Sequence, residues 1–131
     1  MERLPDAGKY RCYAVNVKTP AIMSNRAYIS VHYDEKLADG TWIHLESTQH
    51  CESLRTEYAK KIEKAVICDI PLGYSSYRIA EDGFLHMTMV VTFKMNGKVP
   101  NFFMNYAMKS NTNAPVMIEE YIVDGKIPKM M

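Results

Sequence analysis

The segment "FLHMTMVVTFKM", residues 84–95, alternates without a break. Leu85, Met87, Met89, Val91 and Phe93 fall on one side of it, and His86, Thr88, Val90, Thr92 and Lys94 on the other. Successive side chains of a strand point to opposite faces, so this period of two predicts a β-strand with one face built to be buried. Directly after "NGK" the period changes. Val99, Phe102, Phe103, Tyr106 and Ala107 make one apolar stripe at helical spacing, with Pro100 in the first turn, where its missing N–H costs nothing. A further stripe of Met117, Ile118, Tyr121 and Ile122 follows Pro115. A strand with one apolar face and an amphipathic helix each need a partner surface, which points to an α+β fold.

Upstream, "YRCYAVNV" (residues 10–17) and residues 26–36 also read as strands, and Asp39-Gly40 marks a tight turn into "TWIHLESTQ". In residues 51–64, "CESLRTEYAKKIEK", Leu54, Tyr58 and Ile62 recur every fourth position among charges, which predicts an amphipathic helix inserted between strands. "AVICDIPLGYSSYRIA" is β-rich, with a bend expected at Pro71 and Gly73. The pattern predicts one domain over residues 1–131, with about five antiparallel strands between residues 10 and 95 and a long helix over about 100–123. Residues 10–17 are expected at an open sheet edge.

Composition excludes several functions. Sixteen Lys and Arg against fifteen Asp and Glu leave a net charge of +1, which supplies no electrostatic footprint for nucleic acid. Three cysteines, Cys12, Cys51 and Cys68, lie far apart without a CxxC, which suits a reducing compartment. "MERLPDAGKY" has no apolar core of a signal peptide, so a cytoplasmic location is expected. No zinc-knuckle spacing occurs around His44, His50 and Cys51, so no metal or other cofactor is expected. Neither a Gly-x-Ser-x-Gly elbow nor a phosphate loop is present. His32 or His44 acting with Glu46 is the single acid/base pairing on offer, and a non-enzymatic protein is expected. Ten methionines favour an adaptable apolar surface.

Two blocks carry a resemblance. Pro20, Met23, Ser24, Asn25, Arg26 and Tyr28 fill one, and Gly97, Val99, Pro100, Asn105, Tyr106, Ala107 and Lys109 fill the other. In this order they resemble the StAR-related lipid transfer (START) domain, and within it the phosphatidylcholine-transfer branch. The likeness runs over roughly residues 10–123 and matches the second half of the family's domain, so the N-terminal part of the fold is expected to be missing. Ala27 stands where the family has Asp, Met95 replaces a proline, and Asn96 replaces a glycine.

The resemblance implies a helix-grip fold, in which a curved antiparallel sheet encloses one lipid against the long C-terminal helix. It implies binding of a phospholipid or sterol for intracellular lipid transfer or sensing, with transient contact to a membrane surface. Arg26 would meet the lipid phosphate, which a guanidinium fork holds bidentately. Tyr28 and His32 share its face by period two, and His32 would donate to a ligand oxygen. Met87, Met89, Val91, Phe93, Phe103 and Tyr106 would hold the apolar part. The alternative is a truncated domain that serves as a protein-interaction module or homodimer without lipid transfer.

Overall fold

The computed structural model describes residues 1–112, with side chains through Asn105 and that of Lys109. The chain divides into two compact units, Met1–Lys98 and Val99–Met131. The first holds strands β1 (Glu2–Ala7), β2 (Tyr10–Val17), β3 (Arg26–Lys36), β4 (Trp42–Ser47), β5 (Val66–Ile67), β6 (Asp69–Ile79) and β7 (Leu85–Lys94), with helix α1 (Glu52–Glu57) and a 3₁₀ turn (Ala59–Lys61) between β4 and β5. The second contributes helix α2 (Asn101–Thr112). The helical stripe expected beyond Pro115 lies outside the described residues.

The strands form one sheet in the order β1-β2-β3-β4-β6-β7, antiparallel throughout except that β5 pairs in parallel with the start of β3. Among the described residues, seven strands replace the five expected from the sequence. β1 carries no strand signature because Glu2, Arg3, Pro5 and Asp6 break its apolar pattern; Leu4 is its one buried side chain. A proline on such a strand is tolerated only at a sheet edge, which is where β1 lies. The expected open edge at residues 10–17 is therefore covered, with Leu4 opposite Cys12. The β-rich run of residues 65–80 breaks into β5 and β6, because Cys68 donates its N–H back to Ala27 O at 3.0 Å before the chain turns to β4.

Two turns share one chemistry. Asp39 Oδ1 accepts the Thr41 N–H, and Asp82 Oδ1 accepts the Phe84 N–H, each at 2.9 Å. An Asp side chain that mimics a backbone turn in this way favours the chain reversal that joins β3 to β4 and β6 to β7.

The core sits on one face of the sheet. Leu4, Cys12, Ala14, Ala27, Ile29 and Ile62 are buried together, with Leu54, Tyr58 and Ile67 packed on them. The stripe of Leu54, Tyr58 and Ile62, at every fourth position, thus points inward as its spacing predicts, although the helix is shorter than residues 51–64. Burying a side chain such as Ile29 is worth about 1.5–3 kcal/mol relative to leaving it in water. β7 differs from expectation: Leu85, Met89, Val91 and Phe93 are 40–50% exposed. The core has formed under β1–β3, where the connecting segment lies, and not under the outermost strand β7. Among the described residues, no helix is long and apolar enough to cross a membrane.

Candidate functional site

Directly opposed residues of an antiparallel pair share a face, so the register assigns every side chain of the sheet. Tyr13 opposes Ser30, His32 opposes Glu46, His44 opposes Ser75, and Ser75 opposes Met89. Arg26, Tyr28, Ser30 and His32 therefore face the same way as Met87, Met89, Val91 and Phe93. This is the face opposite the core. All seven sheet residues expected to touch a lipid lie on it, and the sheet's curvature brings the Tyr28 and Phe93 rings to a centroid distance of 6.4 Å. Phe103 lies on α2 and is half-buried, and Tyr106 lies on α2 with its side chain outside the described residues.

Arg26 is 1% exposed, and its guanidinium is held by backbone carbonyls. Nε donates to Met95 O at 2.9 Å, and Nη2 donates to Asn96 O at 2.9 Å and Lys98 O at 3.3 Å. Nη1 donates to Ser24 O. Four of its five N–H groups are thereby engaged. No carboxylate pairs with it among the described residues, and Ala27, at the family's Asp position, points into the core on the other face. The arginine pins the segment that follows β7 against the start of β3. Gly97 suits that segment because its φ of +66° favours glycine, whereas a Cβ there would make ordinary contact, at 3.4 Å, with Arg26 Nη2 and Val66 Cγ1.

Away from Arg26, a polar cluster occupies the middle of the face. Ser30 is fully buried and His32 is 8% exposed. Ser30 Oγ lies 2.8 Å from His32 Nε2, which is 3.4 Å from Glu46 Oε1. The Tyr13 ring packs edge-on to His32 at 4.6 Å, and the His44 ring lies 5.2 Å from it. His44 Nδ1 is 2.7 Å from Asp34 Oδ1, and Asp34 also pairs with Arg11. Gly73 faces Glu46, and a Cβ there would come within 3.3 Å of the Glu46 Cβ, so the glycine leaves room for the carboxylate.

Electrostatics follow from this packing. Burial, and then the negative charge of Glu46, raises the pKa of the Tyr28 hydroxyl well above its ordinary value and keeps it a donor. Burial pushes the Glu46 carboxyl up, but the hydrogen bond and charge of His32, with the Ser30 hydroxyl and His44, outweigh it and hold the group below the usual carboxylate range. Burial lowers the pKa of His44. On one face the site thus presents a buried spot with hydroxyl donors and a carboxylate acceptor beside a half-exposed apolar strip.

Glu46 and His44 were recognisable only as an acid/base pairing, while Ser30 falls on the His32 face by the strand's period of two. The signal that joins them is "ISVH" on β3 against "HLE" on β4, two runs of polar residues at alternate positions that become one cluster once the register is known.

The class this architecture defines is a START-like fold. Among solved structures, the crystal structure of human STARD10 is similar to it, with a TM-score of 0.66 and 13% identity over 91% of this chain. The chain spans 46% of the STARD10 chain. No protein-family model and no curated protein sequence matches.

Proposed function

We propose that this protein binds one lipid against the sheet face that carries Tyr28, Ser30, His32 and Glu46. The observation that carries the reading is the juxtaposition on a single face of a buried polar cluster and a strip of Met87, Met89, Val91 and Phe93, three of which are 40–50% exposed. An amphipathic molecule matches both halves: its polar end replaces water on the cluster, and its apolar part covers the strip. Transferring that apolar area from water drives binding, and the flexible thioethers adapt to its shape. The START-like fold supports the same reading.

With Arg26 engaged by carbonyls, the polar end falls to Tyr28, Ser30, His32 and Glu46. Hydroxyl donors beside a carboxylate suit a hydroxyl-bearing lipid such as a sterol better than a bare phosphate, which Glu46 would repel. The protein acts as a carrier or sensor and not as an enzyme. The test is solvent extraction of the purified chain followed by mass spectrometry, with uptake of a fluorescent sterol and a fluorescent phospholipid. A stoichiometric lipid, or saturable uptake with the sterol preferred, is the expected result. A chain with no co-purifying lipid that takes up neither probe contradicts the reading.

A second reading rests on the β7 edge. Val90 and Val91 are 54% and 50% exposed on opposite faces of the outermost strand, which among the described residues pairs only with β6, and such an edge is a template for pairing with another chain. In that case the exposed strip serves a homodimer, and a concentration-dependent mass in sedimentation favours it over lipid binding.

A further inference from the structure

We infer that His32, His44 and Glu46 form a binding site for one divalent transition-metal ion of the zinc class. One ligand atom from each lies within 4.8 Å of the other two. The strand register produces the grouping: His32 faces Glu46 across β3 and β4, and His44 precedes Glu46 by two positions, hence on the same face. Two imidazoles and one carboxylate are the donors zinc takes in three-ligand sites that keep a fourth position open. Zinc-knuckle spacing is absent because the ligands come from two strands matched by register.

The geometry is close to that of a loaded site. Bonds of about 2.0–2.2 Å in a tetrahedron put ligand atoms about 3.3–3.6 Å apart. His32 Nε2 and Glu46 Oε1 are already 3.4 Å apart, and the ligand atoms, all within 4.8 Å of one another, reach that spacing by side-chain movements of about 1–1.5 Å. The surroundings orient the ligands. The Asp34 carboxylate, 2.7 Å from His44 Nδ1, holds that nitrogen protonated and leaves Nε2 as the electron-pair donor, the arrangement that metal-bound histidines commonly show. Ser30 Oγ, now on His32 Nε2, turns to the Glu46 carboxylate when the ion takes the nitrogen. A divalent ion also neutralises the half-buried Glu46 carboxylate.

The fourth position would take an oxygen of a bound molecule, and that step alone rests on the lipid reading. The metal site is tested without lipid. The whole chain, stripped with chelator, is titrated with Co²⁺ and followed by visible absorption, and then with Zn²⁺ by calorimetry. One equivalent with the strong bands of four-coordinate cobalt, displaced by zinc, is expected. His44→Ala and Glu46→Gln should each weaken binding at least about ten-fold, and Asp34→Asn, a positioning change, by about 10–100-fold, while His86→Ala leaves it unchanged. Should Glu46→Gln fail to fold by circular dichroism, Glu46→Asp carries the same expectation with the charge kept. Absence of the bands in folded wild-type protein overturns the proposal, as do bands that survive His44→Ala and Glu46→Gln. Cobalt binding without lipid uptake leaves this site standing, and lipid uptake without cobalt binding removes it alone.

Discussion

The two faces of the sheet follow opposite rules. On the core face, Cys12, Ala14, Ala27 and Ile29 are at most 1% exposed and pack on an apolar stripe from the segment that follows β4. On the other, the buried groups are Arg26, Ser30, His32 and Ser75, and the exposed ones are Met89, Val91 and Phe93. Burying polar groups costs free energy unless each is hydrogen-bonded, and exposing apolar ones forgoes the gain from burial. The first face is therefore built for stability, and the second gives up stability for the polar cluster and open strip on which the proposed lipid site rests. β3 belongs to both: Ala27, Ile29 and Val31 face the core, and the positions between and before them supply Arg26, Tyr28 and Ser30, with His32 following.

That contrast can be broken from either side. Ile29→Ala removes a fully buried side chain from the closed face and should destabilise the fold by about 2–5 kcal/mol in urea unfolding, without changing lipid affinity in the folded fraction. Arg26→Lys comes next. A lysine is a point donor that cannot hold the carbonyls of Met95, Asn96 and Lys98 as a planar fork does, so a loss of about 1–3 kcal/mol is expected. If Arg26→Lys instead abolished lipid uptake at wild-type stability, the arginine would belong to the ligand and not to the loop. Gly97→Ala forces an L side chain into the left-handed region and should cost about 1–2 kcal/mol by the same measurement.

Smaller effects on stability test the open face. Val91→Asn lies at a half-exposed position, so unfolding should shift by no more than about 0.5 kcal/mol. Lipid uptake should nevertheless fall several-fold. The smallest signal is an absence of reaction. Burial raises the Cys68 thiol to about 11 and raises the Cys51 thiol as well, and all three cysteines are fully buried. Native protein near pH 8 should therefore leave a thiol-reactive dye unconsumed, and urea should release three equivalents. Rapid reaction of the folded chain would show that the core face is not closed.

What was legible in the residues follows the same division. Alternation in residues 84–95 and the Asp39-Gly40 turn placed β7 and the β3–β4 hairpin, and the Leu54, Tyr58 and Ile62 spacing picked out the segment that closes the core. β1 was hidden because an edge strand with one inward residue carries almost no periodicity. The exposure of Met89 and Val91 was hidden too, since alternation reports that a face is apolar and not whether anything covers it. For Arg26, the resemblance implied contact with a lipid phosphate; its hydrogen bonds go to the nearby Ser24 carbonyl and to carbonyls some 70 residues away, and backbone acceptors leave no mark in side-chain patterns. The His32, His44 and Glu46 cluster required the β3–β4 register, which turns two separate motifs into one site.

The central claim is that the face opposite the core holds a lipid. Its most direct measurement is titration of a fluorescent sterol into wild-type protein and into Val91→Asn and Ile29→Ala variants, each corrected for the folded fraction. The account predicts saturable binding by the wild type, binding weakened several-fold by Val91→Asn, and binding unchanged by Ile29→Ala. Equal affinity in all three, or weakening by Ile29→Ala alone, would contradict it.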